Sequence, residues 1–282
     1  MLVRLGVCVP ELNTSKCTTL EENVYKRLDF NIRKAEMFKS LGFTHIRFNN
    51  ILGSGFSRSD MSSVLESSRI QSLRPWLVNA GYTVSIHAPY KYNFFTVNST
   101  RKALNYVNDL GSLLDVLHMN TCAINMHVKC NKNQLDIFYH KFVRKLDYVT
   151  RSRLVFENDD RILNVKNTLD IALKSKVGFV YDNLHDRLNK SDGDLVDYIN
   201  DIKSSWDFQN TKAFMHYSNG TIKGHNSVFD IEEFINILLV YKKYFNEVVV
   251  VIELKDYLNS IEKFRYNTCN KLGWLDNYRF II

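Results

Sequence analysis

Six short apolar runs of this chain end in a side chain that can bind a metal ion or move a proton. His87 closes TVSIH, His127 closes AINMH, Glu157 closes LVFE, Asp182 closes FVYD, His216 closes AFMH and Glu253 closes VVVVIE. Successive members lie 25 to 40 residues apart, a plausible length for one strand-and-helix repeat. His185 follows Asp182 by three positions, and His225 lies in the stretch after His216. Together these residues offer five imidazoles and three carboxylates. Burying so many charges and polar atoms without a compensating cation is costly. A mixed His/Asp/Glu set without cysteine suits zinc, manganese or iron better than magnesium or calcium, which prefer all-oxygen shells. Several ions are expected rather than one.

A single polar residue at a strand end is usually a cap or a satisfied hydrogen-bonding group. Recurrence in six successive units is what separates this set from that ordinary role. Three other histidines provide the contrast: His45 falls within a strand, and His118 and His140 fall on helices, so none of them is expected to be a ligand. Cys122 and Cys130, which flank the run of His127, read as small buried hydrophobes. Directly after His87 come Tyr90, Lys91, Tyr92, Phe94 and Phe95. Aromatic side chains on such a loop can stack on nucleobases or can pack within the loop.

The elements that would position these residues follow from periodicity. Strands are expected over Leu2 to Val9, Thr44 to Phe48, Thr83 to His87, Cys122 to His127, Arg153 to Glu157, Gly178 to Asp182, Lys212 to His216 and Glu247 to Glu253. Helices are expected over Glu21 to Leu41, Met61 to Ala80, Arg101 to His118, Leu135 to Thr150, Val165 to Leu173, Leu195 to Trp206, Ile231 to Tyr244 and Tyr257 to Phe264. Eight alternating pairs without a Pro/Gly-rich linker predict an α/β protein, a (β/α)8 TIM barrel forming a single domain over residues 1–282. No G-x-G-x-x-G follows the first strand, which argues against an open dinucleotide-binding sheet. In a barrel the C-terminal strand ends converge on one mouth, so the six residues would meet there.

Bulk properties agree with a folded chain. The 282 residues are 45% hydrophobic and 24% charged, which excludes disordered, fibrous and coiled-coil classes. No apolar run approaches a membrane span and the N-terminus has no signal-peptide pattern, so an intracellular location, cytoplasm or nucleus, is expected. Five cysteines, an odd number without C-x-x-C spacing, fit reduced thiols there. A net charge of +7 suits a polyanionic partner without requiring one.

The segments SIHAPY, INMHV, LVFENDD, FVYDNLH, MHYS and IELKD, in this order and spacing, resemble the metal motifs of ultraviolet damage endonucleases, within the wider superfamily of endonuclease IV. ENDD at Glu157 to Asp160, MHYS and ELKD are more similar to the ultraviolet damage branch, whereas HAPY at His87 to Tyr90 is more similar to endonuclease IV. The resemblance implies that His87, His127 and Glu157 hold one metal. Glu157 would bridge to a second, held also by Asp182, His216 and Glu253, and His185 with His225 would hold a third. It implies two or three divalent ions, manganese first and zinc as the alternative, with Glu157, Glu253 and His216 closest to the catalysis. Four positions depart from the patterns. Lys223 stands where endonuclease IV has an aspartate, Phe214 where the ultraviolet damage branch has a lysine, and Tyr90 and Lys91 where that branch has a glutamine and an aromatic.

The implied activity is nicking of a phosphodiester on the 5′ side of damage in double-stranded DNA, with Tyr90, Lys91 and Tyr92 contacting the DNA and no membrane or obligate protein partner. The alternatives are an abasic-site endonuclease, a metal-dependent sugar isomerase or epimerase on the same barrel, and a non-catalytic damage-binding protein.

Overall fold

Strands form where the β-branched and aromatic runs predict them, because such side chains fit a pleated, packed surface. The computed structural model describes residues 1–12, 19–52, 60–90, 92–221, 224–226 and 229–282. Cys17, Lys91 and Lys223 lie outside the described residues. The strands are β1 Leu2–Cys8, β2 His45–Phe48, β3 Thr83–His87, β4 Ala123–His127, β5 Leu154–Glu157, β6 Gly178–Val180, β7 Phe214–Tyr217 and β8 Glu247–Ile252.

β1 to β6 pair in chain order, β7 pairs with β8 and β8 with β1, all parallel. The ring closes between β6 and β7 through a parallel bridge of Asp182 and His216, where the His216 N–H donates to the Tyr181 carbonyl at 2.9 Å. The result is a (β/α)8 barrel. The core runs continuously from the lumen, through residues such as Val249 and Val251, to the helix–strand layer of Leu28, Phe38, Leu110 and Ile199.

The helix α1, Leu20–Ser40, starts at Thr19, whose hydroxyl accepts from the Glu22 N–H at 3.1 Å. Its buried stripe includes Val24, Leu28, Ile32, Ala35 and Phe38, the spacing expected of one apolar face. Gly42 follows at φ +107°, where a Cβ would also meet the Tyr278 ring at 3.1 Å. Two expected helices are broken. Met61 to Ala80 is three short helices, Met61–Glu66, Ser68–Gln71 and Arg74–Val78. Ser67 between the first two is extended and caps the second by accepting from the Ile70 N–H, and Pro75 starts the third. Leu135 to Thr150 divides into Leu135–Lys141 and Tyr148–Arg153 with a 3-10 turn between, because Asp147 accepts from the Thr150 N–H at 2.7 Å and begins a new helix. Apolar spacing alone missed both breaks, since a polar side chain that bonds the local backbone can outcompete helix continuation.

The C-terminal hairpin, β9 Gly273–Trp274 and β10 Arg279–Ile281, was not expected. β10 runs antiparallel to the first residues of β1, which β2 does not reach.

At the strand-start end, Glu247 accepts from Lys212 at 2.7 Å and pairs with Arg4. Burial would raise this carboxyl, but the Lys212 and Arg4 hydrogen bonds outweigh it and hold it below its usual range. A depressed carboxylate stabilises the fold above its unfolded pKa and loses that contribution as pH falls through the folded value. Glu247→Gln is therefore expected to cost about 1 kcal/mol at pH 7. In urea titrations the gap to the parent should shrink as pH falls below the usual glutamate range and narrow in high salt. A gap unchanged at low pH would show that packing, not charge, sets the cost.

Candidate metal centre

Strand register builds the site. His127 lies opposite Glu157, His87 opposite Asn125, and Asp182 opposite His216. These positions gather at the carboxyl ends of β3 to β8, as expected for a barrel. Asp182 is also the N-cap of the helix Asn183–Leu188, with its Oδ1 accepting from the His185 N–H at 2.9 Å. That cap explains why a histidine three residues later is brought to the same place.

Glu157 is the centre of the cluster and is 1% exposed. Around it stand His216 Nδ1 at 3.2 Å, His87 Nε2 and His185 Nδ1 at 3.4 Å, and His127 Nε2 at 3.7 Å. Two sets of ligating atoms lie close enough to share an ion, His87 with His127 and Glu157, and Glu157 with Asp182 and His216. Glu157 is common to both, and no further set of three occurs among the described residues. Glu253 stands 3.0 Å from His216 Nδ1. His225, partly exposed, stands 3.9 Å from Glu253 Oε2. His225 and His185 are thus each drawn to a different carboxylate of the cluster, Glu253 and Glu157.

The donor atoms fit divalent cations. The His87 Nδ1–H donates to the Ala88 carbonyl at 2.7 Å, which leaves Nε2 as the ring nitrogen that faces Glu157. His216 approaches two carboxylates, yet both its ring nitrogens lack an aligned hydrogen-bond partner. Buried polar atoms ordinarily have partners. Their convergence without hydrogen-bond alignment is what co-ligands of a cation would show.

Charge is divided unevenly. Burial lowers the His127 imidazole to about 3, only partly opposed by Glu157, so its ring is neutral. Burial also works against the charged forms of His185 and His216, but Asp182 and Glu157 push His185 up to about 11, and Glu157 with Glu253 push His216 up to about 9. Burial would raise Glu157 and Glu253. Glu157 is nevertheless held well below the ordinary range by His216 and His127, and Glu253 is lowered by Arg47 and His216. Asp182 is raised, by burial first. Filling the site with a cation accordingly expels protons.

Several neighbours were not singled out from sequence. Asn125 donates to Glu157 Oε2, and Ser218 Oγ donates to the Asp182 carboxylate at 3.3 Å. Asn158 exchanges two 2.9 Å bonds with the Asp182 backbone. Arg47 forms an ion pair with Glu253. Asn125 and Ser218 each lie two residues from a ligand, so strand alternation places them on its side of the sheet; that period was the available signal. Phe214, at a position of departure, stacks on His216 with centroids 5.9 Å apart. His45 is buried, with ring nitrogens 2.8 Å from Thr83 Oγ1 and 3.1 Å from Ser85 Oγ. Tyr92 packs on Tyr106 at 4.8 Å, whereas Tyr90 stays half exposed beside His127.

No helix among the described residues is long and apolar enough to cross a membrane. Residues 81–273 match the family model described as UV-endonuclease UvdE. The UV DNA damage endonuclease of Bacillus mycoides (strain KBAB4) is 27% identical over 183 residues, covering 61% of this chain and 57% of the relative. That of Bacillus cereus (strain Q1) is 28% identical over a stretch of the same length. The chain thus spans little more than half the length of these curated relatives. Among solved structures, SacUVDE superposes with a TM-score of 0.73 at 19% identity, covering 95% of this chain and 98% of that one. A D-tagatose 3-epimerase-like protein gives 0.61 at 14% identity, covering 95% and 99%. The barrel is shared widely, but the matched family model spans the strands that carry His87, His127, Glu157, Asp182, His216 and Glu253, and this chain belongs to the UV-endonuclease UvdE family.

Proposed function

We propose that the chain is a divalent-metal-dependent DNA repair endonuclease that nicks the phosphodiester 5′ to a damaged site. The observation that carries this reading is Glu157, buried and common to two adjacent sets of ligating atoms at the barrel mouth. His87, His127 and Glu157 would hold one ion, and Glu157, Asp182, His216 and Glu253 a second. Such a pair supplies an activated water near neutral pH and stabilises charge on the leaving oxygen. The chain's own residues orient that chemistry. Asn125 fixes the Glu157 carboxylate, Ser218 and Asn158 fix Asp182, and Arg47 holds Glu253. His185 stands beside Glu157, while His225 extends the cluster toward solvent. Manganese is the preferred ion and zinc the second choice.

The substrate is double-stranded DNA carrying a UV photoproduct, in keeping with the relatives' names. The half-exposed Tyr90 ring is a surface for an unstacked base, and Lys91 and Tyr92 follow it directly in the sequence. Distortion costs less where stacking is already lost, which favours damaged sites. Abasic-site cleavage is the second reading, supported by HAPY at His87 to Tyr90.

The test incubates the protein and Mn²⁺ with three duplex oligonucleotides, carrying a pyrimidine dimer, an abasic site or no lesion. Nicking of the dimer duplex alone supports the first reading, and cleavage confined to the abasic duplex supports the second. No cleavage of any, with epimerisation of a ketohexose instead, would overturn both.

A further inference from the structure

We propose that Asp159, held by the Tyr90 hydroxyl, is a positioning residue that fixes the His127 ring for metal binding; the inference rests on reading the cluster as a metal centre. Asp159 is 1% exposed and uses its two oxygens differently. Oδ1 accepts from the backbone N–H groups of Arg161 at 2.9 Å and Ile162 at 3.0 Å, which shapes the loop after β5. Oδ2 accepts from the Tyr90 hydroxyl at 2.9 Å and stands 3.8 Å from His127 Nδ1.

The other nitrogen of that imidazole, Nε2, faces Glu157. Buried Nδ1 has no hydrogen-bond partner among the described residues. Ligation through Nε2 leaves the ring proton on Nδ1, and the carboxylate facing it there is Asp159. Metal-binding histidines commonly donate their second ring N–H to a carboxylate, which fixes tautomer and orientation. Tyr90 braces the pair in two ways. Its single hydroxyl proton is shared between Asp159 Oδ2 and Asp160 Oδ1, each at 2.9 Å, and its ring packs edge-on against His127 with centroids 4.7 Å apart. The Lys129 ammonium stands over the same ring. The tyrosine thus has a role set by its hydroxyl, separable from any contact of its ring with DNA.

Asp159→Asn isolates this role. An asparagine retains an oxygen for the Arg161 and Ile162 N–H groups, so the loop is kept, but it presents an N–H₂ donor to the Tyr90 hydroxyl and His127. Mn²⁺ titrated into the metal-stripped protein by calorimetry is expected to bind about 10- to 100-fold more weakly to the variant, with the melting temperature of the stripped protein unchanged. Tyr90→Phe, which keeps the ring, should weaken binding about three- to tenfold. The double variant should bind no more weakly than Asp159→Asn alone, since both act through one contact. Parent-like Mn²⁺ affinity in Asp159→Asn would overturn the proposal. So would losses that multiply independently in the double variant. Should Asp159→Asn not fold, parent-like affinity in Tyr90→Phe alone would do the same. A parent protein that binds no Mn²⁺ would instead refute the metal-centre reading itself.

Discussion

Glu157→Gln is expected to yield a folded barrel that nicks damaged duplex about a thousandfold more slowly, or not at all, a loss of ~4 kcal/mol or more of transition-state stabilisation. The substitution is nearly isosteric, and β5 keeps its pairing with β4 and β6. What disappears is the one carboxylate charge common to both sets of ligating atoms. Metal content should fall together with activity, because the first ion would be left with His87 and His127 alone and the second would lose the carboxylate it shares with the first. The measurements are elemental analysis after dialysis against Mn²⁺, circular dichroism and the nicking assay. Unchanged metal content with full activity would remove Glu157 from its bridging place.

Arg47→Leu has the largest expected effect on stability. Arg47 and Glu253 are largely shielded from solvent, with side chains 15% and 12% exposed, and they pair with each other. Removing one partner of a buried pair strands the other charge and costs about 3–5 kcal/mol. The metal-stripped variant should melt on the order of 6–10 °C lower. Mn²⁺ should then raise its melting point more than it raises the parent's, because a bound cation compensates the stranded carboxylate and Glu253 no longer shares its charge with a guanidinium. Adding Glu253→Gln to Arg47→Leu should recover much of the lost stability in the stripped state. An undisturbed melting temperature, or equal Mn²⁺ shifts in variant and parent, would show that Arg47 is not tied to the centre.

Much of this protein was legible in its order of residues. Ligand-type side chains ending six successive apolar runs, with helical stretches between, dictate both a parallel barrel and the meeting of those residues, because parallel strands all present their carboxyl ends to one side. Every one of those six positions lies where alternation and strand length put it, with small shifts of strand bounds. The local breaks after Glu66 and Lys141 were less visible. Single side-chain caps at Ser67 and Asp147 set them, and these contribute little to an apolar period.

What the order of residues by itself determined, then, was the barrel and the set of residues at its mouth; the tertiary structure decided how those residues share their charges. That Glu157 rather than Asp182 or Glu253 is central follows from the stagger of β4, β5 and β6 around the ring, and no single segment encodes that stagger. Arg47 reaches Glu253 across 206 positions of sequence and Tyr90 reaches Asp159 across 69, pairings that exist only once the strands have closed. His225 and Glu253, 28 positions apart, likewise meet only in the folded chain. Residue type and spacing specify local geometry, whereas which buried charge compensates which is settled by distance, and distance between remote segments belongs to the folded chain alone.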